Sequence, residues 1–244
     1  MPARRSLVWL AGLVLIGSVG AANAQAAIEV DLQLVLAADV SGSMSQRELQ
    51  LQRAGYVAAF RHPELVDAIG SGPLGRVAVF YVEWAGSGQQ TVVAPWTILS
   101  SPQSIEGFAN RLAAAEVGRR GNRTAISTAL LFAAGQFSFS GVQSLRRTID
   151  VSGDGIGDDG PPISMVRDQV IGQRITVNGL SITSADNGAG GPFALMFDSG
   201  GADVHAYYRN HVIGGPGAFA IAVTGFQDLA RAVRRKLILE IAAR

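Results

Sequence analysis

The sequence predicts an α/β fold: a doubly wound, mainly parallel central sheet with one antiparallel edge strand and helices on both faces. Three observations lead to this fold class. Strand and helix patterns alternate along the chain. The segment Val30–Ala38 ends in a continuous apolar run, which is typical of a central strand covered on both faces. Two later strands are joined by so short a link that they must pair antiparallel, because a parallel pair needs a long crossover.

The elements of the first half follow from local signals. They are strand Val30–Ala38, a helix from Ser45 to about Phe60, strand Val77–Trp84, strand Thr91–Thr97 and helix Ser101–Ala115. Ser45 and Glu48 form a capping-box pattern at the start of the first helix. Prolines and glycines predict a loop over His62–Gly75. Pro95 lacks a backbone donor and therefore places the second strand of the antiparallel pair at the sheet edge.

The second half continues the alternation. Its elements are an apolar helix from Thr124 to about Phe137, strand Arg147–Ser152, a short helix near Ile163–Ile171, strand Arg174–Leu180, strand Ala218–Thr224 and a helix from Phe226 to about Ala242. The glycine-rich stretch Ser184–Gly201 is weakly patterned and predicts a surface loop. The basic run Arg231, Arg234, Arg235 and Lys236 is expected to face solvent on the last helix.

The N-terminal segment has the pattern of an export signal. Arg4 and Arg5 precede the short apolar stretch Leu7–Val19, and Ala22-Asn23-Ala24 offers a cleavage site. We therefore predict a signal peptide over residues 1–24, a single domain over residues 25–244, and a periplasmic or secreted location. An uncleaved N-terminal anchor is the alternative, although the apolar stretch is short for a membrane span.

Charge and cysteine content exclude several classes of protein. The whole chain has 20 basic and 19 acidic side chains. Removal of Arg4 and Arg5 leaves 18 basic side chains, a net charge of −1, which lacks the electrostatic footprint of nucleic-acid binding. The chain has no Cys, which excludes disulfides, thiolate metal sites and a lipid-modified N-terminal Cys. The mature sequence contains no segment typical of a transmembrane helix.

Oxygen-bearing side chains follow two of the predicted strands and begin one of the predicted helices. Asp39, Ser41 and Ser43 leave the first strand, Thr124 begins an apolar helix, and Asp154 follows a later strand. Ligands of such sheets bind beyond the carboxyl ends of the strands, where the strand order reverses. Carboxylate and hydroxyl oxygens suit Mg²⁺. Each residue alone could instead be a turn or helix-cap residue, but the set of five favours a metal site.

These residues resemble the metal-ion-dependent adhesion site of von Willebrand factor A (VWA) domains, which combines Asp-x-Ser-x-Ser, a distant Thr and a later Asp before Gly. Further segments are similar to an exported bacterial VWA-like family of unknown function: Val82-Glu83-Trp84, Val151-Ser152-Gly153-Asp154-Gly155 and Val212-Ile213-Gly214-Gly215-Pro216-Gly217. The resemblance implies a Rossmann-like three-layer sandwich. It also implies hydroxyl ligation by Ser41, Ser43 and Thr124, with Asp39 and Asp154 acting directly or through water.

The expected function is divalent-cation-dependent binding of a protein or peptide carboxylate. Mg²⁺ is the expected ion, with Mn²⁺ and Ca²⁺ as alternatives, and no catalytic residue is predicted. A metal-dependent hydrolase of phosphates or esters that uses Asp39 as nucleophile or metal anchor is the rival class. Against this class, the sequence has no second carboxylate two residues after Asp39, and no Lys or His is well placed beside the motif as a general acid or base. A structural domain with a decayed site is the third reading.

Overall fold

A six-stranded sheet forms the centre of the protein in a computed structural model, which describes residues 27–118, 121–183 and 203–243. The strands are β1 Ile28–Glu29, β2 Leu32–Asp39, β3 Val77–Trp84, β4 Gln90–Leu99, β5 Val142–Gln143, β6 Arg147–Gly153, β7 Thr176–Thr183 and β8 Ala220–Thr224. The central order is β4-β3-β2-β6-β7-β8, and β1 pairs with β5 in a separate parallel ribbon. The pair β3–β4 is antiparallel and the other central pairs are parallel.

Seven α-helices occur in the described residues. They are α1 Gln46–Phe60, α2 Pro63–Gly70, α3 Pro102–Ala114, α4 Ile126–Gln136, α5 Ile163–Gly172, α6 Val204–Tyr207 and α7 Leu229–Ala242. A π-helical turn over Tyr208–Val212 continues α6, and short 3₁₀ turns cover Phe137–Phe139 and Phe226–Asp228. No helix within the described ranges is long and apolar enough to cross a membrane. The predicted signal peptide and the predicted loop Ser184–Gly201 lie outside the described residues.

Two apolar cores, one on each face of the sheet, hold the three layers together. Leu34 and Leu36 of β2 face the core that α1, α2, α3 and α7 cover. Val35 and Ala37 face the opposite core, to which α4 and α5 contribute. This alternation follows from the two-residue period of a strand. The predicted α/β sandwich is therefore confirmed, including its antiparallel edge strand.

Pro95 lies in the edge strand β4, as predicted, and the pairing of β4 with β3 shifts register around it, between Thr97 and Ala94. The predicted loop over His62–Gly75 is wrong, because it contains α2. His62 caps this helix through its Nδ1, which accepts a hydrogen bond from the backbone N–H of Glu64 at 3.3 Å.

Lys236 is buried, and its predicted exposure is therefore wrong. Its ammonium group forms ion pairs with Asp150 of β6, at 2.6 Å, and with Glu240 one turn further along α7. The Asn178 amide also donates to Glu240 at 2.9 Å. These four residues, here named the Lys236 cluster, join α7 to the middle of the sheet. A buried ammonium is tolerated there because carboxylates surround it.

The strand order reverses at β2, since the chain moves from β2 outward to β4 and later from β6 outward to β8. Ala38 of β2 pairs with Ser152 of β6, so the two strands end side by side. The loops that leave them, after Asp39 and after Gly153, share one crevice. Such a crevice is where ligands bind in open α/β sheets.

Candidate metal centre

The first loop at this crevice is held in place by hydrogen bonds to Asp39. One carboxylate oxygen, Oδ1, accepts the backbone N–H of Ser41 at 2.8 Å. The backbone carbonyl of Asp39 accepts the side-chain amide of Gln52 at 2.8 Å. Asp39 and Ser41 are fully buried, whereas Ser43 is exposed at the rim. The loop therefore runs from the protein interior to the surface within five residues.

A chain of short oxygen–oxygen contacts joins four of the five residues predicted from the sequence, and Asp39 is linked to this chain through the backbone N–H of Ser41. The Thr124 hydroxyl lies 3.3 Å from the Ser41 hydroxyl, which lies 3.2 Å from the Ser43 hydroxyl. The Ser43 hydroxyl donates to Asp154 Oδ1 at 2.6 Å. The structure thus brings Asp39, Ser41, Ser43, Thr124 and Asp154 together at one place, here named the Asp39 site. Their role as metal ligands stays a prediction.

Helix capping does not account for the hydroxyls of this site. Helix α1 is capped by Ser45, whose capping box with Glu48 is complete, and not by Ser43. Helix α4 begins at Ile126 after Ala125, and no side chain caps it. The predicted start of this helix at Thr124 is therefore two residues early. The Thr124 hydroxyl instead faces Ser41.

Asp158 holds Thr124 in this position. Its Oδ1 accepts the Thr124 backbone N–H at 2.7 Å, and its own N–H donates to the Thr124 carbonyl at 3.0 Å. Arg123 pairs with the same carboxylate at 3.6 Å. The β6–α5 loop therefore supplies Asp154 to the site and fixes the backbone of a second loop. The sequence analysis did not identify this role of Asp158.

Two glycines allow the close approach of these segments. A Cβ on Gly42 would lie 3.1 Å from the Cα of Asn122, so the β2–α1 loop packs directly on the loop that carries Thr124. A Cβ on Gly153 would lie only 2.9 Å from Asp39 Oδ2. A side chain at Gly153 would displace the Asp39 carboxylate, which makes this glycine part of the construction of the site.

The Asp39 site contains two carboxylates whose negative charge no cationic side chain of the described residues balances. Burial raises the pKa of Asp39 well above its usual range, and the nearby charge of Asp154 raises it further. Burial also raises the pKa of Asp154, although the hydrogen bond from Ser43 opposes this. Within the described residues, no Lys, Arg or His pairs with either carboxylate, and Asp39 Oδ2 has no hydrogen-bond partner. A buried acceptor without a partner costs about 1–3 kcal/mol, and more if it is charged.

This donor set fits a hard divalent cation. It offers two carboxylates and three hydroxyls, and such oxygens are what Mg²⁺ accepts alongside water. In the described part of the chain, no three His, Cys, Asp or Glu side chains form a metal-binding group, so an all-carboxylate or histidine site is not formed there. Burial, charge and oxygen chemistry all favour a cation at Asp39.

The chain can now be placed among known proteins. The family model described as "Protein of unknown function (DUF1194)" matches residues 29–244. The chain belongs to this family. No curated protein sequence matches it significantly.

Solved structures show the same fold at low sequence identity. Proximal thread matrix protein 1 from the mussel byssus has a TM-score of 0.59 and 16% identity, with 88% of this chain covering 49% of that one. A second structure of the mussel protein, described as having a "zinc occupied MIDAS motif", has a TM-score of 0.57, 15% identity and the same coverage. A von Willebrand factor type A structure from Catenulispora acidiphila has a TM-score of 0.54 and 16% identity, with 87% of this chain covering 43% of that one.

The fold is therefore a VWA-like α/β sandwich, as the sequence predicts. The chain spans about half the length of the mussel protein and less than half of the Catenulispora protein. At these identities the likeness establishes the fold alone. Any function must be argued from the residues of the Asp39 site.

Proposed function

We propose that the protein is an exported binding module that holds a divalent cation at the Asp39 site and binds a carboxylate of a protein or peptide partner through it. The observation that carries the proposal is the buried Asp39 carboxylate, which lacks a cationic partner among the described residues and faces the second negative charge of Asp154. A divalent cation removes this imbalance. The mussel structure with a zinc-occupied motif supports the general kind of site.

The five residues of the site would bind the ion with two kinds of oxygen ligand. Ser41, Ser43 and Thr124 offer neutral hydroxyl oxygens, whereas Asp39 and Asp154 offer negative charge, directly or through water. Two carboxylates neutralise the ion only formally and leave it able to attract a further anionic oxygen. A bound divalent ion supplies a Lewis-acidic position that a partner's carboxylate can fill. Ser43 and the loop after Gly153 lie at the exposed rim, where a partner can reach them.

Mg²⁺ is the proposed ion, because it favours oxygen ligands and retains water in mixed coordination shells. Mn²⁺ and Ca²⁺ accept the same oxygen types and are tested beside it. The pattern of Arg4 and Arg5, the apolar stretch Leu7–Val19 and the cleavage motif at 22–24 supports export to the periplasm or beyond.

The metal claim is tested by thermal unfolding of residues 25–244 in EDTA and in millimolar Mg²⁺ or Mn²⁺. Mg²⁺ at 100 times its Kd stabilises the folded state by about 2.7 kcal/mol. For a domain of this size we expect the Tm to rise by about 5–10 °C. Asp39→Ala should abolish the rise, and Asp67→Ala, at an exposed position on α2, should retain it. An unchanged Tm in the wild type with Mg²⁺, Mn²⁺ and Ca²⁺ would refute the metal claim.

The carboxylate claim requires a separate experiment. Immobilised protein should retain a partner from an exported-protein fraction in Mg²⁺ and release it in EDTA. Amidation of the carboxyl groups in that fraction should abolish retention, because it removes the anionic oxygen. Retention that survives amidation would contradict the carboxylate claim without touching the metal claim. Mg²⁺-dependent hydrolysis of a phosphate or ester that is lost in Asp39→Ala would instead favour the rival enzyme class.

A further inference from the structure

A buried tyrosine lies directly behind the Asp39 site. Tyr208 begins the π-helical turn over Tyr208–Val212, and its backbone carbonyl accepts the N–H of Ile213, five residues on, at 3.0 Å. Turns of this kind are rare and frequently occur at functional sites. The Tyr208 side chain is fully buried.

Two strand glycines make room for the Tyr208 side chain. A Cβ on Gly179 of β7 would lie 2.8 Å from the ring carbon Cδ1 of Tyr208. A Cβ on Gly153 of β6 would lie 2.6 Å from the Tyr208 hydroxyl. Both contacts are shorter than ordinary packing permits, so the ring and its hydroxyl occupy space that exists only because these positions lack side chains. The ring crosses from β7 to the end of β6, where Asp154 follows.

The Tyr208 hydroxyl and the Asp39 carboxylate converge on the same point. The Cβ position of Gly153 that lies 2.6 Å from the Tyr208 hydroxyl also lies 2.9 Å from Asp39 Oδ2. Both oxygens are buried, and neither has a hydrogen-bond partner within the described ranges of the chain. One is a potential donor and the other is an acceptor. Each buried unpaired group costs about 1–3 kcal/mol, which is the penalty that a hydrogen bond between them removes.

The neighbouring Tyr207 anchors the same segment to the other side of the site. Its hydroxyl accepts the backbone N–H of Gly157 at 3.3 Å, in the loop that carries Asp154. The rings of Tyr207 and Tyr208 pack edge to face, with centroids 6.3 Å apart. The segment Tyr207–Tyr208 is thus fixed against β6 and against the loop that follows it.

We propose that Tyr208 is a positioning residue of the Asp39 site, whose hydroxyl donates to Asp39 Oδ2 through one water and orients the carboxylate for the ion. The inference rests on the proposed metal-binding function and adds a residue to it. Groups that hydrogen-bond a metal-binding carboxylate commonly change metal affinity 10–100-fold. Tyr208 would act through Asp39 and would not itself touch the partner.

The test compares two tyrosines that differ in their surroundings. Mn²⁺ and Mg²⁺ affinities are measured by calorimetry for the wild type, Tyr208→Phe and Tyr56→Phe. Tyr56 is also fully buried, but its hydroxyl donates to Ser152 at 3.1 Å in the core that α1 covers. We expect Tyr208→Phe to weaken metal binding at least 10-fold and Tyr56→Phe to weaken it less than 3-fold. A purely structural role of Tyr208 would lower the Tm in EDTA and leave the affinity unchanged.

A spectroscopic readout keeps the test independent of the variant's folding. In the wild type labelled with ¹³C at the tyrosine Cζ, addition of Mg²⁺ should shift the Tyr208 resonance and leave that of Tyr56 in place. Equal metal affinities of the wild type and Tyr208→Phe, or an unshifted Tyr208 resonance on saturation, would overturn the inference alone. Absence of metal binding by the wild type would overturn the proposed function, and this inference with it.

Discussion

Two groups of carboxylates each include one residue on β6 or directly after it, and they differ in how their charge is balanced. Asp150, in the middle of β6, belongs to the Lys236 cluster, where the ammonium group of α7 lies 2.6 Å away. Asp154, four residues further along, belongs to the Asp39 site, where no cationic side chain of the described residues pairs with a carboxylate. The chain supplies its own cation to the first group. To the second group, the part of the chain that the structure describes supplies only oxygens.

This difference is the one we expect between a structural group of charges and the proposed binding site. Burial raises the pKa of Glu240 to about 7, and its ion pair with Lys236 opposes this, so the cluster approaches neutrality within the protein. In the Asp39 site, burial and a second negative charge both raise the pKa of Asp39. A closed group of charges stabilises the packing of α7 on the sheet. A site that lacks a positive charge is one that an external cation can complete.

Replacement of Lys236, the cation of the Lys236 cluster, should have the largest effect on the free energy of unfolding. Lys236→Met leaves Asp150 and Glu240 buried without their partner, and breaking a buried ion pair costs about 3–5 kcal/mol. Urea denaturation should show this loss, and added Mg²⁺ should not restore the stability. Arg235→Met, at an exposed neighbouring position, should change it by less than about 0.5 kcal/mol. A loss of similar size in both variants would show that the Lys236 cluster has no special role.

A methyl group at Gly153 should disturb the Asp39 site alone. Gly153→Ala places a Cβ against the Tyr208 hydroxyl and Asp39 Oδ2, and such overpacking costs about 1–3 kcal/mol. We expect calorimetry to show weakened Mg²⁺ binding. Gly135→Ala is the matched control, since nothing lies within 4 Å of a Cβ there. If Gly153→Ala bound metal as tightly as the wild type, this would contradict the close approach of the Tyr208 hydroxyl and Asp39 Oδ2 at Gly153.

Neutralising one carboxylate in the Asp39 site and one in the Lys236 cluster should change the stability of the fold in opposite directions. In EDTA at pH 8, Asp39→Asn removes a buried charge that no cationic side chain of the described residues balances, and it should stabilise the fold. Asp150→Asn should destabilise it, because Lys236 loses a partner. Chemical denaturation of the two variants measures the sign of each change in the free energy of unfolding. Destabilisation by Asp39→Asn in EDTA would show that the Asp39 charge is already compensated.

The pH dependence of stability should show the smallest effect. Because the pKa of folded Asp39 is raised, the folded state binds more protons than the unfolded state above about pH 4. In EDTA the free energy of unfolding should therefore decrease as the pH rises through the folded pKa, by at most about 1.4 kcal/mol per pH unit. Saturating Mg²⁺ should oppose the decrease. Identical pH curves for the wild type and Asp39→Asn would contradict a raised pKa.

Local signals predicted much of the fold and the five residues of the site. The capping box of Ser45 and Glu48 and the edge-strand proline Pro95 act within a few residues of their effects, so one chain suffices to read them. Asp39 and Asp154 converge because parallel strands end at the same edge, which is a consequence of topology. The sequence therefore sufficed to predict that these candidate residues lie close together, whereas their role as metal ligands stays a prediction.

The features that sequence reasoning missed depend on tertiary neighbours. Helix α2 lies in a stretch rich in proline and glycine, and its two buried side chains, Leu65 and Ile69, give little periodic signal. Lys236 lies in a basic run, and only Asp150 on a distant strand makes its burial favourable. Tyr208 reaches Asp39 through a π-helical turn and through space left by glycines on two strands. None of these partners is near in sequence.

The small ribbon of β1 and β5 determines how the molecule can be tethered. Strand β1 lies just before β2, at the end of the sheet opposite the Asp39 site. The eight residues of β2 separate the two ends by about 25 Å. A support or fluorophore attached ahead of Ala27 therefore joins the domain on the far side from the Asp39 site. Immobilisation by that end should orient the Asp39 site outward, whereas attachment near Ser43 would block it.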